Sequence, residues 1–311
     1  MLKVKAWEAM FAGTVAALYT AFSFTFWMNA IEAEVYSGLV FFVNLIIWLT
    51  LVWVEKSEDY DHQNILLLIV YLFFLGFCVH QTALQIAPAV LFIIVYPMLQ
   101  KGVRGDSFWM KVIGYTFAML AGYFVFGAIG KGVSIDDFDK WGFALVILVL
   151  MAIELKDVFG KRFWAMAFGL MLVGLSSHLY LMIRAADRPF INEGHPSTLS
   201  TFQDYVLRKQ YGNTSFVQRR GSFFSDQLNY HFLRYFQMQW FPNGILDPLL
   251  KSAGAVSASI SSLFIAIIGF LGGMFHFRKN KHSFYYFFVI LLFTTIIMVF
   301  VMNLSDAEVR D

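Results

Sequence analysis

Two carboxylates and a phenol lead the groups able to do chemistry: Glu32, Glu34 and Tyr36, in the string Phe26-Trp27-Met28-Asn29-Ala30-Ile31-Glu32-Ala33-Glu34-Val35-Tyr36. Paired acids beside a membrane interface can take a proton from a hydroxyl, hold a cation, or accept hydrogen bonds from a sugar. Glu32 and Tyr36 are four apart and share a helix face, whereas Glu34 points elsewhere. The plainer alternative is a pair of solvated charges closing a span. His80 ends a later apolar run and reads first as a satisfied interfacial histidine, second as a catalyst. His178, in Ser176-Ser177-His178, suits packing or hydrogen bonding, because adjacent residues diverge around a helix.

A second set lies in the one long polar stretch, 184–250. Asn192-Glu193-Gly194-His195-Pro196-Ser197 is a polar turn given a defined backbone by Gly and Pro, and Glu193 and His195 could pair or share a ligand. Arg208, Lys209, Arg219, Arg220 and Arg234 follow, interleaved with Tyr205, Tyr211, Phe216, Phe223, Tyr230 and Tyr235. Guanidinium groups grip phosphate through parallel hydrogen bonds, and flat aromatic faces suit sugar rings. A basic, aromatic loop resting on lipid headgroups is the competing account.

The elements that position these groups are apolar almost throughout. The chain of 311 residues is 59% hydrophobic and only 14% charged, with a mean hydropathy of +0.64. Soluble domains carry roughly 25% charged residues, so a polytopic, all-α membrane protein is expected. A net charge of +2 excludes a typical nucleic-acid binder, and none of the 7 His stands in metal-like spacing with the lone Cys78. No resident metal or cofactor is expected, although a divalent cation stays open.

About nine membrane segments can be drawn at roughly 20 residues per span: 7–27, 36–54, 65–79, 83–99, 109–129, 141–156, 163–183, 253–275 and 283–302. Residues 1–183 are thus read as a membrane core, 184–250 as a loop bearing amphipathic helices, and 251–311 as two further helices. The pair 65–79 and 83–99 is either two short crossings or a re-entrant hairpin, with Pro88 and Pro97 expected to kink or end its second arm. Helical periodicity is expected over Ser200–Tyr211 and Phe223–Trp240. Lys and Arg gather on one side, from Lys3 and Lys5 to Arg278, Lys279 and Lys281, while Glu32, Glu34, Asp136, Asp137 and Asp139 fall on the other. The positive-inside rule therefore puts the long loop outside. Asn213-Thr214-Ser215 fits a glycosylation sequon.

These motifs in this order resemble a family of multi-pass proteins grouped with the GT-C-type glycosyltransferases, which has an animal member that is a protein O-mannosyltransferase. The resemblance rests on Phe26-Trp27 with Glu32-Ala33-Glu34-Val35-Tyr36, on Gly76 to His80, on Pro189-Phe190-Ile191-Asn192-Glu193 with Pro196-Ser197, on Arg208-Lys209-Gln210-Tyr211-Gly212, and on Arg234-Tyr235-Phe236 with Gln239-Trp240. Lys209 stands where the family carries an acid. The resemblance implies a GT-C-like core that transfers a sugar, mannose above all, from a polyprenyl-phosphate donor to a protein or glycan acceptor on the outer face of a bacterial cytoplasmic membrane. Glu32 and Glu34 would then be the catalytic acids. Arg208, Arg234, Arg219 and Arg220 would bind the donor phosphate, and Tyr36, His80, Asn192, Glu193 and Tyr211 the sugar or acceptor. The family's first outer loop, with its acidic pair and Gly-His-Pro-Pro-like stretch, is not found before Phe26, so an incomplete member, inactive alone, is expected. A transporter or lipid flippase, and a non-catalytic scaffold, are the competing functions.

Overall fold

The computed structural model describes residues 6–32, 35–56, 61–102, 106–133, 146, 149–150, 153, 155, 158–206, 209, 219–239 and 256–304. Among these, every regular element is helical. In order they are α1 (Ala6–Ala21), α2 (Phe24–Ile31), α3 (Tyr36–Lys56), α4 (Gln63–Val79), a 3-10 helix (Gln81–Ile86), α5 (Ala87–Gly102), α6 (Asp106–Val133), α7 (Lys161–Leu175), α8 (Ser177–Ala186), α9 (Leu199–Val206), a π-helix (Phe223–Leu233), α10 (Arg234–Met238), α11 (Val256–Lys279), α12 (Lys281–Leu292), a second π-helix (Phe293–Ile297) and α13 (Met298–Met302).

Most of these helices are apolar around their whole circumference, which suits lipid on one side and protein on the other. Their few polar side chains are satisfied locally. Asn44 donates its amide to the Val40 carbonyl at 2.9 Å, Thr20 its hydroxyl to Ala16 at 3.0 Å, and Thr294 its hydroxyl to Ile290 at 2.8 Å. Each returns to a carbonyl four residues back, the partner always at hand where no water is available.

Three helical stretches are long and apolar enough to cross a membrane: Tyr36–Lys56, Lys161–Ala186 and Lys281–Met302. Counting one bent pair as a span makes four. The nine segments drawn from hydropathy are therefore reduced among the described residues. The stretch 7–27 does not form one straight rod: α1 and α2 meet at 67°. Ser23 makes the break with extended backbone (φ −67, ψ 146) and donates its hydroxyl to the Thr20 carbonyl at 2.8 Å. The stretch 65–99 is a helix of 17 residues followed by a second short apolar stretch, Gln81–Tyr96, that opens with the 3-10 turn. Pro88 falls in the first turn of α5, where its missing N–H costs nothing, and the helix runs through Pro97 to Gly102 rather than ending there. The segment 141–156 and the cluster Asp136, Asp137 and Asp139 lie largely or wholly outside the described residues, as does the Asn213 sequon.

Two compact units divide the chain, one of Met1–Trp48, Leu72–Val90 and Gly174–Asp311, the other of Leu49–Tyr71 and Leu91–Val173. In the second, Trp53, Leu66, Leu67, Ile93 and Ile94 are buried, and the rings of Phe159 and Phe163 stack at 4.3 Å. The first carries all the described candidate residues. Within it Gly76 explains the glycine of the Gly-to-His element: a Cβ there would stand 3.3 Å from Phe42 Cβ and 3.4 Å from Ala83 Cβ. The glycine lets α4 lie against α3 and receive the 3-10 helix, whose Ala83 and Ile86 are buried. Gly76→Val should therefore lower the unfolding midpoint in detergent, at a cost of about 1–3 kcal/mol from overpacking. Gly169→Val, where a Cβ meets nothing within 4 Å, should leave the midpoint near the parent value.

Candidate functional site

The candidate residues fall into two groups in the first unit. One forms around the C-terminal end of α4. His80 has extended backbone (φ −160, ψ 136) and caps the 3-10 helix, its Nδ1 accepting the Thr82 N–H at 3.3 Å and lying 2.7 Å from Thr82 Oγ. Its ring sits 5.5 Å from that of Tyr36, tilted by 46°. Gln81, the next residue, donates its side-chain amide to the Val206 carbonyl at the end of α9. Two residues before His80, Cys78 Sγ lies 2.6 Å from His178 Nδ1 and 3.3 Å from the Gly174 carbonyl. The His178 ring contacts Phe77 at 5.5 Å and Phe202 at 5.9 Å. His178 thus has the packing and hydrogen-bonding role that its position suggested.

The polar turn after α8 is internally tied. Asn192 Nδ2 reaches the Ala185 carbonyl at 3.4 Å and His195 Nδ1 at 2.6 Å, and His195 Nε2 is 3.1 Å from Ser197 Oγ. With the Asn192 amide donating, Nδ1 accepts and the Nε2–H is directed at Ser197. Gly194 takes φ 68 and His195 φ 41. The glycine is required on two counts, since a Cβ there would also come 3.3 Å from the Tyr205 ring. His195 pairs with Asn192 and Ser197, and Glu193 is exposed beside them.

The second group surrounds a cavity of about 680 Å³ in which the two π-helices meet α10 and α13. Its polar lining is Gln227, His231, Arg234, Gln239, Thr294 and Thr295; Phe232, Tyr235, Phe236, Met238, Leu291, Met298, Val299, Met302 and Leu304 make the apolar walls. Most of that polarity is committed to the fold. Thr294 and Thr295 return their hydroxyls to their own helix. The Gln227 amide donates to Asn303 Oδ1 at 3.0 Å and to the Leu304 carbonyl at 2.9 Å. Among the described residues, no Asp or Glu lines the cavity. The result is a largely apolar chamber with Arg234 among its lining residues. The wider π turns rotate side chains relative to α-helical register, and both π segments line this chamber.

Gln239 laces the chamber to α2. Its backbone carbonyl accepts the Phe24 N–H at 2.7 Å and its side-chain oxygen the Thr25 N–H at 3.2 Å. Its amide donates to Thr25 Oγ at 2.8 Å and to the Tyr235 carbonyl at 3.1 Å. The first N–H groups of a helix have no partner within it, so a residue 214 positions away serves as the cap. Glu32 closes the other end of the same helix, exposed and extended (φ −88, ψ 143).

The other predicted residues are placed as follows. Arg219 is engaged with the fold: one guanidinium nitrogen donates to the Phe300 carbonyl at 2.7 Å, another to Gln227, and its carbon lies 4.4 Å from the Phe300 ring centre. Arg220 gives its backbone N–H to Asn303 Oδ1 at 3.0 Å. Lys209 pairs with Asp204 at 2.8 Å, both half exposed. Glu34, Arg208 and Tyr211 lie outside the described residues. Tyr36 and His80 are brought together, and Arg234 joins the chamber. Sequence reasoning missed Gln227, Asn303 and the chamber itself. Asn303 adopts φ 48, and no spacing rule pairs it with Gln227, 76 residues away. Among the described residues no three His, Cys, Asp or Glu side chains converge to hold a metal ion.

Residues 2–102 match the family model described as the protein O-mannosyl-transferase TMEM260 N-terminal domain. The matched region contains the acidic turn, Tyr36, Gly76 and His80; the Asn192 turn and the chamber lie beyond it. The match supports glycosyltransferase at the level of class. No curated protein and no solved structure matches the chain.

Removing the cap should loosen α2 selectively. Gln239→Ala leaves the Thr25 N–H without its acceptor, at a cost of about 1–2 kcal/mol. Hydrogen exchange across Phe24–Ile31 should then quicken about tenfold, while exchange across Lys281–Leu292 should not change.

Proposed function

We propose that the chain is a membrane glycosyltransferase of the GT-C type, moving mannose from a polyprenyl-phosphate donor to a hydroxyl of a protein or glycan on the outer face. The observation that carries this reading is the chamber: about 680 Å³, apolar-walled, lined by Arg234 and, among the described residues, by no carboxylate, and laced through Gln239 to the helix that ends at Glu32. A chamber of that character suits a ligand with an apolar chain and an anionic head. The family match over residues 2–102 supports sugar transfer as the chemistry, and the Lys/Arg asymmetry of the short loops supports the outer orientation.

In this mechanism the acceptor oxygen attacks the anomeric carbon and its proton passes to the Glu34 or Glu32 carboxylate. The bond between that carbon and the phosphate oxygen breaks, and the electron pair leaves with the phosphate. Arg234 and Arg208 hold the charge that develops there. Arg220 adds to the local positive field, as does Arg219, whose guanidinium is already engaged with Phe300 and Gln227. Tyr36 and His80 offer a ring face and an imidazole to the sugar or acceptor, with Asn192, Glu193 and Tyr211 as further polar contacts.

The test is transfer of radiolabelled mannose from polyprenyl-phosphate mannose in membranes containing the chain by itself and the chain extended at its N-terminus with the acidic outer loop that the family resemblance implies; the substitutions are read in whichever form transfers. Glu34→Gln should lower turnover about 10²–10⁴-fold, the usual contribution of a general base, without changing membrane insertion. Arg234→Ala should raise the donor KM about tenfold or more, as expected from losing a charged hydrogen-bond partner. Full activity in both Glu34→Gln and Glu32→Gln would remove the carboxylates from the mechanism.

A further inference from the structure

We propose that Phe190 and Ile191 form an interfacial anchor, two apolar side chains that enter the headgroup–acyl boundary and hold the Asn192–His195–Ser197 turn at the membrane surface. This stands apart from sugar transfer and rests on three observations. First, Phe190 is 105% and Ile191 84% exposed. A pair of large apolar residues pushed fully outward from an ordered turn needs an apolar partner.

Second, the pair continues a lipid-facing surface. The span Lys161–Ala186 ends in α8, which exposes Leu179, Tyr180 and Ile183. Phe190 follows Ala186 by four residues, so even fully extended backbone would carry it no more than about 14 Å from the end of the span. The chain does not run extended. The Asp187 N–H returns to the Arg184 carbonyl at 3.2 Å and the Arg188 N–H to Ala185 at 3.1 Å, and Arg188 takes φ 50. That turning keeps the pair near headgroup depth, a layer of roughly 5–8 Å on each side of the hydrocarbon. Third, Arg184 and Arg188 precede the pair and are exposed, Arg184 standing 3.6 Å from Asp187. Cations beside aromatic and aliphatic side chains match a boundary where phosphates meet acyl chains. The bonds from Asn192 to Ala185 and His195 make the turn stiff enough for the anchor to set its height.

The partner is thus a phospholipid interface, and a peptide docked on the same pair is the alternative the test separates. A nitroxide is placed at Phe190→Cys, Ile191→Cys or Glu193→Cys in the full chain carrying Cys78→Ser. The protein is reconstituted in vesicles of phosphatidylcholine and phosphatidylglycerol. At 190 and 191 collisions with oxygen should exceed those with a water-soluble nickel chelate, and at 193 the order should reverse. Equal or greater access of the nickel chelate at 190 and 191 would overturn the anchor and favour an aqueous docking surface. In a second arm, Phe190→Ser with Ile191→Ser should raise nickel access at 193, as the turn lifts from the surface; unchanged access would equally overturn the proposal. Both substituted side chains are solvent-exposed, so folding is not at stake, and neither arm depends on glycosyl transfer.

Discussion

Hydrogen bonds that cannot be completed by water organise this molecule. In hydrocarbon, each amide, hydroxyl and guanidinium must find a protein partner or remain costly. Thr20, Asn44 and Thr294 solve this within one helical turn. Longer polar side chains solve it across the chain. Gln227 and Asn303, each 1% exposed, join the first π-helix to the end of the last span, and Arg219 closes the same knot by donating to the Phe300 carbonyl near that helix terminus. A cation at a helix C-terminus also meets the negative end of the helix dipole. The chamber exists because these bonds fix its walls while turning their polarity inward, away from the space they enclose.

The same constraint distinguishes basic residues that look alike in sequence. Arg219 and Arg234 are such a pair, basic residues in one aromatic stretch. In the structure Arg219 bonds a carbonyl and a glutamine and lies over the face of Phe300, and Arg234 is among the residues that line the chamber. The turn around His195 follows the same logic at the surface. Its polar groups bond one another, so the outward positions are left to Phe190 and Ile191.

Much of the helical content was legible before any coordinates. Apolar runs long enough to span gave Tyr36–Lys56, Lys161–Ala186 and Lys281–Met302 nearly to their ends. Periodicity located Leu199–Val206 and the helical stretch from Phe223. The breaks were harder. Hydropathy is blind to a hydroxyl that bonds back to its own turn, so it drew α1 and α2 as one rod where Ser23 bends the chain by 67°. Nor does it distinguish α-helical from π-helical winding, which differ in hydrogen-bond register rather than in apolarity. At the candidate site, no spacing rule relates Tyr36 to His80; their 5.5 Å ring contact depends on how α3 meets the end of α4 across Gly76.

The sequence by itself determined the class of protein, the apolar spans and the residue types available for chemistry, because burial in lipid and helical period are local properties of composition and spacing. Tertiary structure alone decided which polar residues are structural and which line a space. The pairings that settle it, Gln239 with Thr25 across 214 positions and Gln227 with Asn303 across 76, join groups no local rule relates. They form only when packed helices bring two unsatisfied groups within about 3 Å of each other.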